Sequence, residues 1–129
     1  EGFVSLADLC PSLKIKADYA TTENFTGKVV AGYKAVKAYM ARVPAEALCQ
    51  AQTSALKKGY SLKIHDGYRP EKGVKFFQEW AQQPESNPQI KALYYPKFTR
   101  MELFEQGYIA TRSSHSRGSA VDLTLVDLK

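Results

Sequence analysis

Residues 60–70 read YSLKIHDGYRP, and the fold turns on how they divide. Leu62, Ile64 and Asp66 share one side of a period-two strand, with Lys63 and His65 on the other. GYRP ends the strand in a turn. Pro70 then suits the start of a helix, with Glu71 favourably placed in its first turn, and Val74, Phe77, Trp80 and Ala81 recur at helical spacing. Upstream, Pro44 and Gly59 bracket another helix that carries Lys57 and Lys58 in its last turn. Its Leu48, Cys49, Ala55 and Leu56 fall on one face. Helices and strands mix here without a regular βαβ alternation. The predicted class is therefore α+β, a small antiparallel sheet flanked by helices.

Further out, Leu13, Ile15 and Ala17 alternate with Lys14, Lys16 and Asp18 in a half-buried strand, followed by the loop YATTENFTG (19–27). QQPESNP (82–88), polar and holding two prolines, reads as loop. A short helix spans Arg100–Gln106 and stops at Gly107. Tyr108, Ile109 and Ala110 then lead into SSHSRGSAVDLTL (113–125). No internal repeat or low-complexity segment interrupts the 129 residues, which read as one domain, 1–129.

Hydrophobic content of 44% and charged content of 24% are those of a soluble globular protein. No run reaches the roughly 18–20 apolar residues of a membrane span, and no signal-peptide core is visible. The first residue is Glu1, as in a processed or excised chain. The net charge is +5, from 18 basic and 13 acidic residues. The lysines are scattered among acids and apolar residues instead of forming a stripe, which argues against a nucleic-acid partner. Cys10 and Cys49 leave two readings open. They form one disulfide, worth about 4 kcal/mol in the chain-entropy model, or they are separate thiols with Cys49 buried on its helix. No C-x-x-C pair offers a zinc knuckle.

One of the chain's two histidines stands in SSHSRGSAVDLTL. In the strand that follows, Val121, Leu123 and Leu125 fall on one face, toward a core. Ala120, Asp122, Thr124 and Val126 fall on the other. Gly118 and Ser119 let the backbone turn tightly enough to swing His115 over the Asp122 face. An imidazole and a carboxylate converging there make two-thirds of a catalytic zinc site, which takes a third protein ligand and leaves a position open. The spacing leaves an alternative open: His115 hydrogen-bonds a loop, and Asp122 pairs with Arg112 or Arg117. Arg69 by itself reads as a surface ion pair, with Glu71 as a partner.

SSHSRGSAVDLTL resembles the S-x-H-x-x-G-x-A-x-D signature of the VanX-type D-alanyl-D-alanine dipeptidases, which share a fold with D,D-carboxypeptidases and the hedgehog signalling domain. DYATTENFTG, LKIHDGYRP, YYPKF and LFEQGYIATRSSHSRG extend the resemblance from about residue 3 to residue 128. It implies His115 and Asp122 as zinc ligands, Arg69 as the cation that stabilises the transition state, and Ser113 and Tyr19 as substrate-binding residues. It implies no ligand role for His65. The implied activity is zinc-dependent hydrolysis of D-Ala-D-Ala to two D-alanines, in cell-wall dipeptide salvage or glycopeptide resistance. The alternatives are a related D,D-carboxypeptidase acting on peptidoglycan stems and a non-catalytic hedgehog-like metal-binding module.

The family pattern continues with a Glu-x-x-His that supplies a general base and a third zinc ligand. Neither is present here, and Glu71, Glu79, Glu102 and Glu105 lie in no recognisable base motif. Ending at Lys129 after a strand, the chain reads as the N-terminal part of a dipeptidase cut at an exposed loop, its C-terminal fragment docked as a second chain or lost. The periplasm is the expected compartment if the cysteines pair, the cytoplasm the alternative.

Overall fold

The central strand and its two flanking helices form where their spacing places them, and short elements surround them. A computed structural model describes residues 2–109 and 113–128. In chain order the elements are β1 (Phe3–Ser5), α1 (Leu6–Leu9), β2 (Lys14–Ile15), a 3-10 turn (Asp18–Ala20), β3 (Tyr39–Ala41), α2 (Arg42–Lys57), β4 (Tyr60–Asp66), α3 (Glu71–Ala81), α4 (Pro88–Tyr94), α5 (Arg100–Glu105), a second 3-10 turn (Ser114–Arg117) and β5 (Asp122–Asp127). The class is α+β. The sheet is realised as two: β1 pairs antiparallel with β3, and a three-stranded sheet has the order β2-β4-β5. In the latter β5 runs antiparallel to β4 and β2 runs parallel to it.

Two apolar clusters hold these pieces. In one, Leu6, Met40, Ala45, Leu48, Leu62 and Ile64 pack between α2 and the sheets. Leu6 and Ile64 are fully buried, worth about 1.5–3 kcal/mol each. Cys10 and Cys49 are disulfide-bonded beside this cluster, so the paired reading of the cysteines is the one realised. The α2 face that turns inward is Ala45, Leu48 and Gln52, while Leu56 stays exposed. Gln52 earns its buried place by hydrogen bonding: its Nε2 donates to the Ser12 carbonyl and Ser61 Oγ, and its Oε1 accepts from the Leu62 amide.

The second cluster is aromatic. Phe77, Trp80 and Ala81 of α3 meet Val30, Tyr95, Leu103 and Ile109, with Tyr19 and Phe25 packed alongside. Buried Arg100 lies over the Trp80 ring at 4.3 Å. The stretch read as loop at 82–88 ends one residue early, because Pro88 opens α4. Asn87 caps that helix, accepting from the Gln89 and Ile90 amides. Proline at the first helical position is a start signal, and seven residues are too few to display a period.

One expectation fails at β5. Val121 packs against the first cluster, but Leu123 and Leu125 are 42% and 54% exposed instead of facing a core. Their cross-strand partners Ile64 and Leu62 are buried. The difference arises because α2 packs on β4, whereas β5 is an edge strand whose extensive contact is with β4 alone.

Candidate metal and substrate site

The site forms where the end of β4, the turn after it and the loop before β5 are tied together. Three hydrogen bonds link the two loops. His115 Nδ1 meets the Gly67 carbonyl at 3.0 Å, the Arg69 amide donates to the His115 carbonyl at 3.0 Å, and Ser116 Oγ donates to the Arg69 carbonyl at 2.7 Å. Gly67 is required by close approach, since a Cβ there would lie 2.5 Å from the Tyr39 carbonyl oxygen. Gly118 adopts φ +78°, and a Cβ on it would press into the Phe3 ring at 2.8 Å. The tight turn expected at Gly118 is thus present, and it also seats the loop against β1 and β3.

Because Nδ1 donates its proton to the Gly67 carbonyl, the lone pair of His115 is on Nε2. Nε2 points at Asp122 Oδ1, 3.3 Å away. The hydrogen bond with Asp122 raises the His115 pKa above its ordinary value, against the opposing effect of burial. The same bond lowers that of Asp122. Orientation of a ligating imidazole through its other nitrogen by a backbone carbonyl is the usual support of a metal-bound histidine. The donor set fits zinc: a largely buried imidazole nitrogen and a half-exposed carboxylate oxygen face one cavity, two of the three protein ligands that a catalytic site takes.

Arg69 stands beside this pair. Its Nη2 lies 2.9 Å from Asp66 Oδ2 and 3.7 Å from Asp122 Oδ2. Nη1 donates to Ser113 Oγ at 3.4 Å. Burial works against its charge, yet the Asp66 carboxylate outweighs it and holds the guanidinium above its ordinary pKa. The partner is therefore Asp66 and not Glu71. Among the described residues Asp122 ion-pairs with His115 and Arg69, not with Arg117. Arg112 and Ala110 lie outside the described residues.

Tyr19, Arg69, Phe77, Ser113, His115 and Asp122 line a cavity of about 280 Å³. All five residues singled out in the sequence thus converge on one space. The Arg69 guanidinium lies over the Tyr19 and Phe77 rings at 5.5 and 5.2 Å, and burial raises the Tyr19 phenol pKa. Ser113 Oγ accepts from the His115 amide, capping the second 3-10 turn. His65 stays apart from the cavity, bridging Asp18 Oδ2 at 3.1 Å and Thr124 Oγ1 at 2.8 Å.

Asp66 is the residue that sequence reasoning missed. It is 3% exposed and forms a metal-capable cluster with His115 and Asp122. A β-bulge explains its position: Ile64 pairs with Leu123, but Asp66, not His65, pairs with Asp122. The extra residue brings Asp66 beside Asp122. The one available signal was an ionisable residue at a core-facing parity after Leu62 and Ile64, a place where a carboxylate demands a partner.

A family model described as D-ala-D-ala dipeptidase matches residues 1–129. The D-alanyl-D-alanine dipeptidase of Enterococcus faecium is 46% identical over 127 residues, covering 98% of this chain and 62% of that protein. The Streptomyces coelicolor protein of the same name is 44% identical over 126 residues, with the same coverage. The Escherichia coli one is 29% identical over 124 residues, covering 96% of this chain and 53% of its own. The chain thus spans about three-fifths of the length of the first two relatives.

Proposed function

The chain belongs to the D-Ala-D-Ala dipeptidase family of peptidases, and from that premise we propose that it forms the greater part of a zinc enzyme that hydrolyses D-Ala-D-Ala to two D-alanines. The observation that carries this reading is the convergence of His115 Nε2 and Asp122 Oδ1, 3.3 Å apart, beside the Arg69 guanidinium on a single cavity. His115 and Asp122 would hold the zinc. Bound there, it would lend Lewis acidity to the scissile carbonyl and to the attacking water.

Arg69 presents a fixed positive charge where an oxyanion develops on that carbonyl, the kind of preorganised stabilisation that counts most in a site shielded from water. Tyr19, kept protonated by burial, enters as a neutral O–H donor. Ser113 Oγ offers a second hydrogen-bonding group to the substrate. A cavity of about 280 Å³ has room for a ligand of dipeptide size. A general base and a third ligand would come from the share of its relatives' length that this chain does not span.

No helix of the described residues is long and apolar enough to cross a membrane. The Cys10–Cys49 disulfide supports an oxidising compartment such as the periplasm, whereas free thiols in the protein as isolated would place it in the cytoplasm.

The test is to express the protein at its relatives' length and measure zinc content and D-alanine release. One zinc per chain and rapid cleavage of D-Ala-D-Ala are expected, both lost in His115→Ala. Cleavage of a pentapeptide stem in preference to the dipeptide would assign a D,D-carboxypeptidase instead. Stoichiometric zinc with no hydrolysis of either would make the module non-catalytic.

A further inference from the structure

Asp66 lies close enough to His115 and Asp122 to pass for a metal ligand, but its oxygens are already engaged. Oδ2 accepts from both Arg69 Nε at 3.1 Å and Arg69 Nη2 at 2.9 Å. Tyr33 Oη donates to Oδ1 at 2.9 Å and approaches Oδ2 at 3.2 Å. On the His115 side, Asp66 Oδ2 is 3.8 Å from Nδ1, the nitrogen bonded to the Gly67 carbonyl and turned away from Asp122. A cation between Nε2 and Asp122 therefore lies across the imidazole from Asp66.

The bulge that sets Asp66 opposite Asp122 creates a problem that Arg69 solves. Two carboxylates in that register repel one another, and the guanidinium contacts both, at 2.9 and 3.7 Å. The two contacts are unequal. The short one, with two N–H groups on a buried oxygen, fixes the guanidinium plane. The longer one, to a half-exposed carboxylate, leaves an edge directed to the cavity. Tyr33 supports the short contact from behind, its ring packed near Tyr19 at 5.7 Å.

We infer that Asp66 is the positioning residue of this site: with Tyr33 as its prop, it sets the angle at which Arg69 faces the cavity, and it does not ligate the metal. This assignment rests on the proposed role of Arg69. Removing the charge would leave the guanidinium drawn to Asp122 alone. A displacement of about 1 Å in such a group costs on the order of 100-fold in rate.

The experiment uses the protein at its relatives' length, zinc-loaded, with wild type, Asp66→Asn, Tyr33→Phe, Arg69→Ala and the Asp66→Asn/Arg69→Ala double variant. Wild-type hydrolysis of D-Ala-D-Ala tests the parent reading by itself. Given that activity, Asp66→Asn should keep one zinc per chain and lose about 100-fold in kcat, with a smaller change in KM. Tyr33→Phe should lose a lesser amount in the same parameter. The Arg69 Nε–Hε NMR signal, protected from exchange in wild type, should become exchange-broadened in Asp66→Asn. In the Arg69→Ala background, Asp66→Asn should cost nothing more, because it has no guanidinium left to position. Loss of zinc in Asp66→Asn would overturn the inference by making Asp66 a ligand. A further fall in rate in the double variant would overturn it by giving Asp66 a role independent of Arg69. Should Asp66→Asn misfold, Tyr33→Phe decides: unchanged kcat with an unchanged Arg69 signal would overturn the positioning role.

Discussion

His115 and Asp122 illustrate how one contact governs two titrations. Their hydrogen bond raises the imidazole above its ordinary 6.5 and lowers the carboxylate below its ordinary 3.8. The stabilisation from His115 is present in full below its ordinary value and is lost as pH rises through the raised one. That from Asp122 is present above its ordinary value and is lost as pH falls through the lowered one. In zinc-free protein the pair therefore contributes most between about pH 4 and 6.5. Asp122→Asn should lower the His115 pKa measured by NMR titration of its ring protons, and should flatten the dependence of Tm on pH across that window. A His115 titration unmoved by the substitution would mean that the 3.3 Å contact does not persist in solution. Local spacing singled out both residues in the sequence but left an alternative open, and it was the family resemblance that implied them as ligands. Asp66 was not singled out, because its role depends on a bulge and on Tyr33, thirty-three positions away.

At the scale of elements, the turn after β4 is the piece on which the site is hung. Gly67 touches the β3 backbone, where its neighbour Tyr68 donates to the Tyr39 carbonyl at 2.6 Å, and it offers its own carbonyl to His115. Gly67→Ala would drive a methyl to 2.5 Å from the Tyr39 oxygen, which nothing in a paired strand can yield to cheaply. The turn must shift, and the support of His115 Nδ1 shifts with it. The expected outcome is a loss of stability of about 1–3 kcal/mol in urea titration, together with at least tenfold weaker zinc binding in the protein at its relatives' length. Wild-type zinc affinity in this variant would show that His115 needs no such support. The helices α2, α3 and α5 could be read from caps and periodicity. The strand read from the alternation at residues 13–18 is realised as the two-residue β2, whereas the three-residue β1 and β3 and the seven-residue α4 could not be read, because each is shorter than the window in which a period shows.

For the whole molecule, the Cys10–Cys49 link closes a separation of 39 residues, tying α1 to α2 around the first core. Replacing both cysteines by serine should lower stability by about 4 kcal/mol in the chain-entropy account, measurable as a fall in the urea midpoint with little change in zinc-dependent properties. A loss under about 1 kcal/mol would mean that the reduced, unfolded chain is already compact. The α+β class and the central strand with its flanking helices were determined by the sequence itself through local period and turn chemistry, whereas the five residues of the cavity were singled out by the family resemblance, with only His115 and Asp122 also marked by their spacing. Three things were decided by the tertiary structure alone: the exposure of Leu123 and Leu125, the choice of Asp66 as the partner of Arg69, and the pairing of the cysteines. Alternation says which side chains share a face of a strand, but not whether anything covers that face. A local pattern likewise cannot count the extra residue in a bulge or bring together two cysteines 39 positions apart. Those outcomes are set by which elements pack together, and that is a property of the assembled chain.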